Sequence, residues 1–104
     1  MSVEIAKMFL EFEWDEEKAQ RNLKKHAVSF DEAISVFADP LSITISDVEH
    51  SSNVETRYID IGISNNKRIL VVVYTERNNK IRIISCRIAT KHEREYYEQH
   101  QRRK

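Results

Sequence analysis

The segment RILVVVYTER, residues 68–77, constrains this chain more than any other. Read as a strand, it sets Ile69, Val71 and Val73 on one face and Leu70, Val72 and Tyr74 on the other, because successive side chains alternate. A strand apolar on both faces belongs at the centre of a sheet, with helices over one face and something else partly covering the other. Its neighbours in sequence also read as strands. LSITISD (41–47) alternates Leu41, Ile43 and Ile45 against Ser42, Thr44 and Ser46, as a sheet with one wet face requires. RYIDIGIS lies before the central segment and KIRIISCRI after it, with Asn pairs at 65–66 and 78–79 between them. Asn tolerates positive φ, so each pair is expected to form the two-residue turn of a tight hairpin. The expected result is a four-stranded β-meander, preceded by a short strand near 9 to 14 and two helices.

Three helix starts have a local mechanism. Asp15 can cap a helix over about 15 to 26, with Glu16 and Glu17 at the positive end of its dipole. SFDE makes Ser29 the cap of a helix over 30 to 38, with Glu32 reaching back and Val28 packing on Ala33. Pro40 disfavours helical geometry at Asp39 and stops it. TKHE repeats the capping box with Thr90 and Glu93, for a helix over 91 to 102. In the first helix Lys18, Asn22 and Lys25 share a line, and His26 turns toward a stripe of Ala19 and Leu23. The last helix has no aliphatic stripe. It is expected to dock through Tyr96 and Tyr97, to be the least stable element, and to form Lys91–Glu95 and Arg94–Glu98 pairs.

One hundred and four residues suit a single α+β domain, with 1 to 8 a frayed lead-in and Met8 an alternative start. The opening residues lack the pattern of a secretory signal, and no apolar run is long enough to span a bilayer. A lone Cys86 permits no intrachain disulfide and is expected to be buried and unreactive, which together suggest a cytoplasmic address. Formal charge is zero but segregated. Residues 1–60 carry six Lys/Arg against thirteen Asp/Glu, and residues 61–104 carry eleven against four. A basic half of this kind can face a polyanion or an acidic partner.

Arg82 and Arg87 interrupt the apolar strand 81–88. Strict alternation places Arg82 with Ile84, Cys86 and Ile88, and Arg87 with Ile81, Ile83 and Ser85, so the two arginines are expected on opposite faces. No GxGxxG, phosphate loop, HExxH, GxSxG or zinc-like histidine spacing is present, and the DVEH loop (47–50) reads as a polar loop able to catch a metal only adventitiously. What remains is arginine, lysine, histidine and tyrosine on an α+β scaffold. These suit metal-free, cofactor-free RNA cleavage, in which the substrate's own 2′-hydroxyl attacks and arginine stabilises the phosphate charge. The same residues would equally serve a noncatalytic binder.

The segments FEWDEEKAQRNLKKHAVSFDEAISVFADP, ETRYIDIG, RILVVVYTER and RIISCRIATKHEREYY resemble the BrnT family, toxins of bacterial type II toxin–antitoxin modules with a RelE-like ribonuclease fold. The resemblance runs over about residues 12 to 97, with Ala27 where a glycine is usual and Cys86 where an alanine is usual. It implies a RelE-like, mainly antiparallel sheet in the order β-α-α-β-β-β-β-α, inhibition of translation by RNA cleavage, and neutralisation by a cognate antitoxin through which operator DNA is bound. It carries over Lys25 and His26, Glu55 and Arg57, Thr75 and Arg77, and Arg82 and Arg87, with Tyr97 near the chain end. In this reading Arg57 and Arg87 meet transition-state charge, Lys25 or His26 moves protons, and Tyr97 completes the catalytic set. Glu55, Thr75, Arg77 and Arg82 contact RNA. The rival reading is a noncatalytic antitoxin- or ribosome-binding protein.

Overall fold

The computed structural model describes residues 10–102, except the side chain of Arg102. The expected lead-in 1 to 8 and the alternative start Met8 lie outside them. The elements are β1 (Glu11–Glu13), α1 (Glu16–His26), α2 (Phe30–Ser35) continued by a 3-10 turn Val36–Ala38, β2 (Ile43–Asp47), a second 3-10 turn Val48–His50, β3 (Arg57–Ile63), β4 (Ile69–Arg77), β5 (Lys80–Ile88) and α3 (Lys91–Arg102). The strands form one sheet in the order β1-β5-β4-β3-β2. All pairs are antiparallel except β1 with β5.

β4 is the central strand that its two apolar faces demand. Leu70, Val72 and Tyr74 join Ile81, Ile83 and Cys86 beneath α1 and α2, where Val28, Phe30, Ala33, Val36 and Phe37 complete the main core. Val71 joins Ile61 and Ala89 on the opposite face, closed by Tyr97 of α3. Gly62 lies where α2 meets this sheet: a Cβ there would stand 2.9 Å from Val36 Cγ1 and 3.0 Å from Ser42 Cβ, so any side chain would push the layers apart.

Local signals act largely as expected at helix starts. Asp15 accepts from the Lys18 amide and Ser29 from the Glu32 amide. Thr90 and Glu93 form a reciprocal box, each side chain accepting from the other's amide. Glu32 departs from the box pattern, because its carboxylate binds Arg68 and Ser64 instead of its own helix end. In α1 the inward position is Asn22, not Leu23, which is 45% exposed. Asn22 accepts from the Cys86 amide and donates to the carbonyls of Cys86 and Val28. A buried amide with that many partners ties α1 to β5 at little desolvation cost.

The Asn pairs divide. Asn78 and Asn79 both have positive φ and join Arg77 directly to Lys80, the expected two-residue turn. At 65–66 the connection is longer: Ile63 pairs with Ile69, and Lys67, not an Asn, has positive φ. Ser64 holds this loop by accepting from the Asn66 and Arg68 amides. On the edge strand β2, Ile45 is 40% exposed, so its apolar side is only partly covered.

α3 docks through one tyrosine ring instead of two. Tyr97 is buried and donates to Asp39 at 2.6 Å, while Tyr96 is half-exposed against His100. Burial and the nearby Asp39 carboxylate push the Tyr97 phenol well above its ordinary pKa. The expected Lys91–Glu95 and Arg94–Glu98 pairs are not among the ion pairs of the described residues. The helix is tied instead by a fork from Arg87 to Glu93, at 2.6 and 2.8 Å.

Candidate active site

Pairing of β4 with β5 shifts between Val73 and Tyr74. Tyr74 faces Ile83 and Val73 faces Ser85, so Ile84 is an extra residue on β5. This is a β-bulge, and it changes the phase of every side chain beyond it. Arg82 pairs with Thr75 and Arg87 with Val71, two residues of the same face of β4. The expectation that the arginines oppose each other is therefore overturned. Both lie on the sheet face away from α1 and α2.

At Thr75 a single row crosses all five strands: Asp47, Arg57, Thr75, Arg82 and Glu13 are successive register partners. Register partners project to the same side, so two arginines flank a threonine with carboxylates beyond them. With strands about 4.8 Å apart, Arg57 and Arg82 stand roughly 10 Å apart at the backbone, a span that two guanidinium side chains can close around one phosphate. Arg77, two residues beyond Thr75, joins the same end of the face. Glu55 ties the group together, receiving Arg77 Nη2 at 2.8 Å and lying 3.6 Å from Arg57 Nε. Arg77 holds the Glu55 carboxyl below its usual range. Arg57 Nε is itself buried and, among the described residues, makes no approach to an acceptor shorter than its 3.6 Å contact with Glu55.

Thr75 is 1% exposed and donates to the Thr56 carbonyl at 2.8 Å. This bond ties β4 to the strand entry that carries Glu55 and Arg57. Arg82 reaches toward Glu13 at 3.7 Å. Arg87 shares the face but stands four residues further along β4, about 13 Å away at strand rise, and its fork to Glu93 engages both terminal nitrogens. It does not join Arg57 over a common point.

Three expected catalytic residues lie elsewhere. Lys25 and His26 end α1, which packs on the opposite face of the sheet through Asn22 and Cys86. Lys25 is exposed and His26 half-buried there. Tyr97 is on the arginine face but buried at its far end, with its phenol committed to Asp39. Among the described residues, no three His, Cys, Asp or Glu side chains gather as a metal site requires. No helix among them is long and apolar enough to cross a membrane.

The resemblance names Glu55 as an RNA contact, and its place between two arginines is what the structure adds. Glu55 and Arg57 come together from the resemblance, but the bond between Glu55 and Arg77, 22 positions away, is a tertiary contact with no local signal.

The chain matches the family model described as "Ribonuclease toxin, BrnT, of type II toxin-antitoxin system" over residues 14–93. No curated protein sequence matches it significantly. Among solved structures it is similar to the crystal structure of the Brucella abortus ribonuclease toxin, BrnT, with 22% identity and a TM-score of 0.60 over 79% of this chain and 99% of that one. That likeness concerns the fold, an α+β domain with a mainly antiparallel sheet.

Proposed function

The chain belongs to the BrnT family of ribonuclease toxins of type II toxin–antitoxin systems, and from that premise we propose that it is a metal-independent endoribonuclease that inhibits translation in the cytoplasm. A cognate antitoxin neutralises it, and operator DNA is reached only through that complex. One observation supports the site assignment above others: Arg57, Arg77 and Arg82 share one end of a single sheet face, with Glu55 held between Arg57 and Arg77.

The residues divide the work as the chemistry needs. Arg57 and Arg82 take the phosphate and stabilise the charge that builds as the substrate 2′-oxygen attacks phosphorus. Arg77 binds the neighbouring backbone phosphate. Glu55, a carboxylate at neutral pH, takes the 2′-hydroxyl proton. Its low pKa comes first from Arg77, so a phosphate that draws Arg77 away makes Glu55 a stronger base at the moment substrate arrives. Arg87 binds RNA further along the face once Glu93 releases it. Lys25, His26 and Tyr97 take no part in proton transfer.

The test incubates antitoxin-free protein with RNA in EDTA, with and without ribosomes, beside Arg57→Ala and Glu55→Gln. The expected result is cleavage by the parent and a loss of about 100-fold or more in each variant, the scale of removing a positioned base or charge-stabilising donor. Antitoxin capture without cleavage under either condition would instead support the noncatalytic reading.

A further inference from the structure

Cleavage by this route also needs a proton for the departing 5′-oxygen, and the residues assigned above do not supply one. The 3-10 turn Val48–His50 does. Asp47, the outermost strand residue of the row beside Arg57, receives His50 Nδ1 at 3.0 Å and 3.2 Å on its two oxygens and caps the turn through the His50 amide. A carboxylate on Nδ1 holds the ring in one orientation and leaves Nε2 turned away from Asp47. The His50 side chain is 62% exposed, whereas Asp47 is 13% exposed, so the orienting group is sheltered and the ring faces solvent. The turn is fixed against the site itself: Ser51 Oγ donates to the Asp47 carbonyl and accepts from the Arg57 amide. Strand order then sets the flanks. Glu55 is drawn toward β4 by Arg77 and His50 is held on β2 by Asp47, with Arg57 on β3 between them.

We propose that His50, oriented by Asp47, is the general acid that protonates the 5′-oxygen leaving group of RNA at Arg57. This rests on the ribonuclease reading above. Glu55 removes the 2′-hydroxyl proton as the 2′-oxygen bonds to phosphorus. The P–O5′ bond breaks, its electron pair goes to O5′, and the His50 Nε2 proton follows it. The products are a 2′,3′-cyclic phosphate and a 5′-hydroxyl, with no other reactant consumed. Asp47 is a positioning residue.

The test compares two oligoribonucleotides, one ordinary and one with sulfur in place of the scissile 5′-oxygen. A thiolate leaves without protonation, so this substrate dispenses with the acid. Parent, His50→Ala, His50→Gln and Arg57→Ala are assayed under whichever condition, free or with ribosomes, supports parent cleavage, and thermal midpoints check their folding. The expected result is a loss of about 100-fold or more for both His50 variants on ordinary RNA, the scale of a general acid. On the thio substrate they should stay within a few-fold of the parent, while Arg57→Ala is slow on both. Equal losses on both substrates, or no loss on ordinary RNA, would overturn the His50 role while the Arg57 result keeps the ribonuclease reading. A parent that cleaves neither substrate would remove that reading and this role together.

Discussion

Ala27 closes α1 with φ of 58°, in the left-handed region where a Cβ is strained. Its amide still bonds the Leu23 carbonyl, so the backbone needs this geometry whatever the residue. Ala27→Gly should therefore stabilise the protein by about 1 kcal/mol, read from the denaturant midpoint at unchanged slope. Asn22 behaves oppositely. Truncating it leaves the Cys86 amide and two carbonyls buried without their partner, so Asn22→Ala should cost on the order of 3 kcal/mol. Its burial had no local signal, since the bonds that justify it lie 64 positions away at Cys86. Cys86 itself was legible as a small buried residue. Burial pushes its thiol up to about 11, so a thiol reagent at neutral pH should label it only as fast as the protein unfolds.

At the scale of elements, capping residues and alternation located helices and strands well because each signal is local. They failed where one element answers to another. Glu32 leaves its capping position for Arg68, a long-range ion pair, and the 65–66 connection lengthens around Ser64. α3 illustrates the same point. Its sequence suggests a loosely held helix, yet Tyr97 with Asp39 and Arg87 with Glu93 fasten it at two places. Tyr97→Phe should cost about 1.5–3 kcal/mol, because the bond it removes is to a buried carboxylate. Faster amide exchange confined mainly to α3 would identify the loss with that helix.

Across the whole molecule, the segregated charge has a structural destination. Acids from the first half meet bases from the second in the pairs Glu32–Arg68, Glu55–Arg77, Glu11–Lys80 and Glu13–Arg82. The basic half is thus partly neutralised by the acidic half before any polyanion arrives. Glu13→Gln should free Arg82 and tighten RNA binding, with a steeper salt dependence than the parent. These pairs also set acid sensitivity. Arg68 lowers the Glu32 pKa, Arg77 lowers that of Glu55, and Arg87 lowers that of Glu93 to about 2. Each folded value lies below the ordinary carboxylate value near 4.5, so their stabilisation is complete above it and is lost as pH falls toward 2. A urea midpoint that declines progressively below about pH 4.5 is the expected outcome.

The extra residue at Ile84 also bears on how chains of this kind can change length. Val73 and Tyr74 are adjacent on β4, whereas their partners Ser85 and Ile83 are not adjacent on β5. Deleting Ile84 would leave every one of those pairs in place and straighten the strand, so the arginines would keep their shared face at a spacing of four instead of five. A relative without the bulge would carry them four apart. For this strand, sequence spacing is therefore negotiable by one residue, while the side of the sheet to which the arginines project is not.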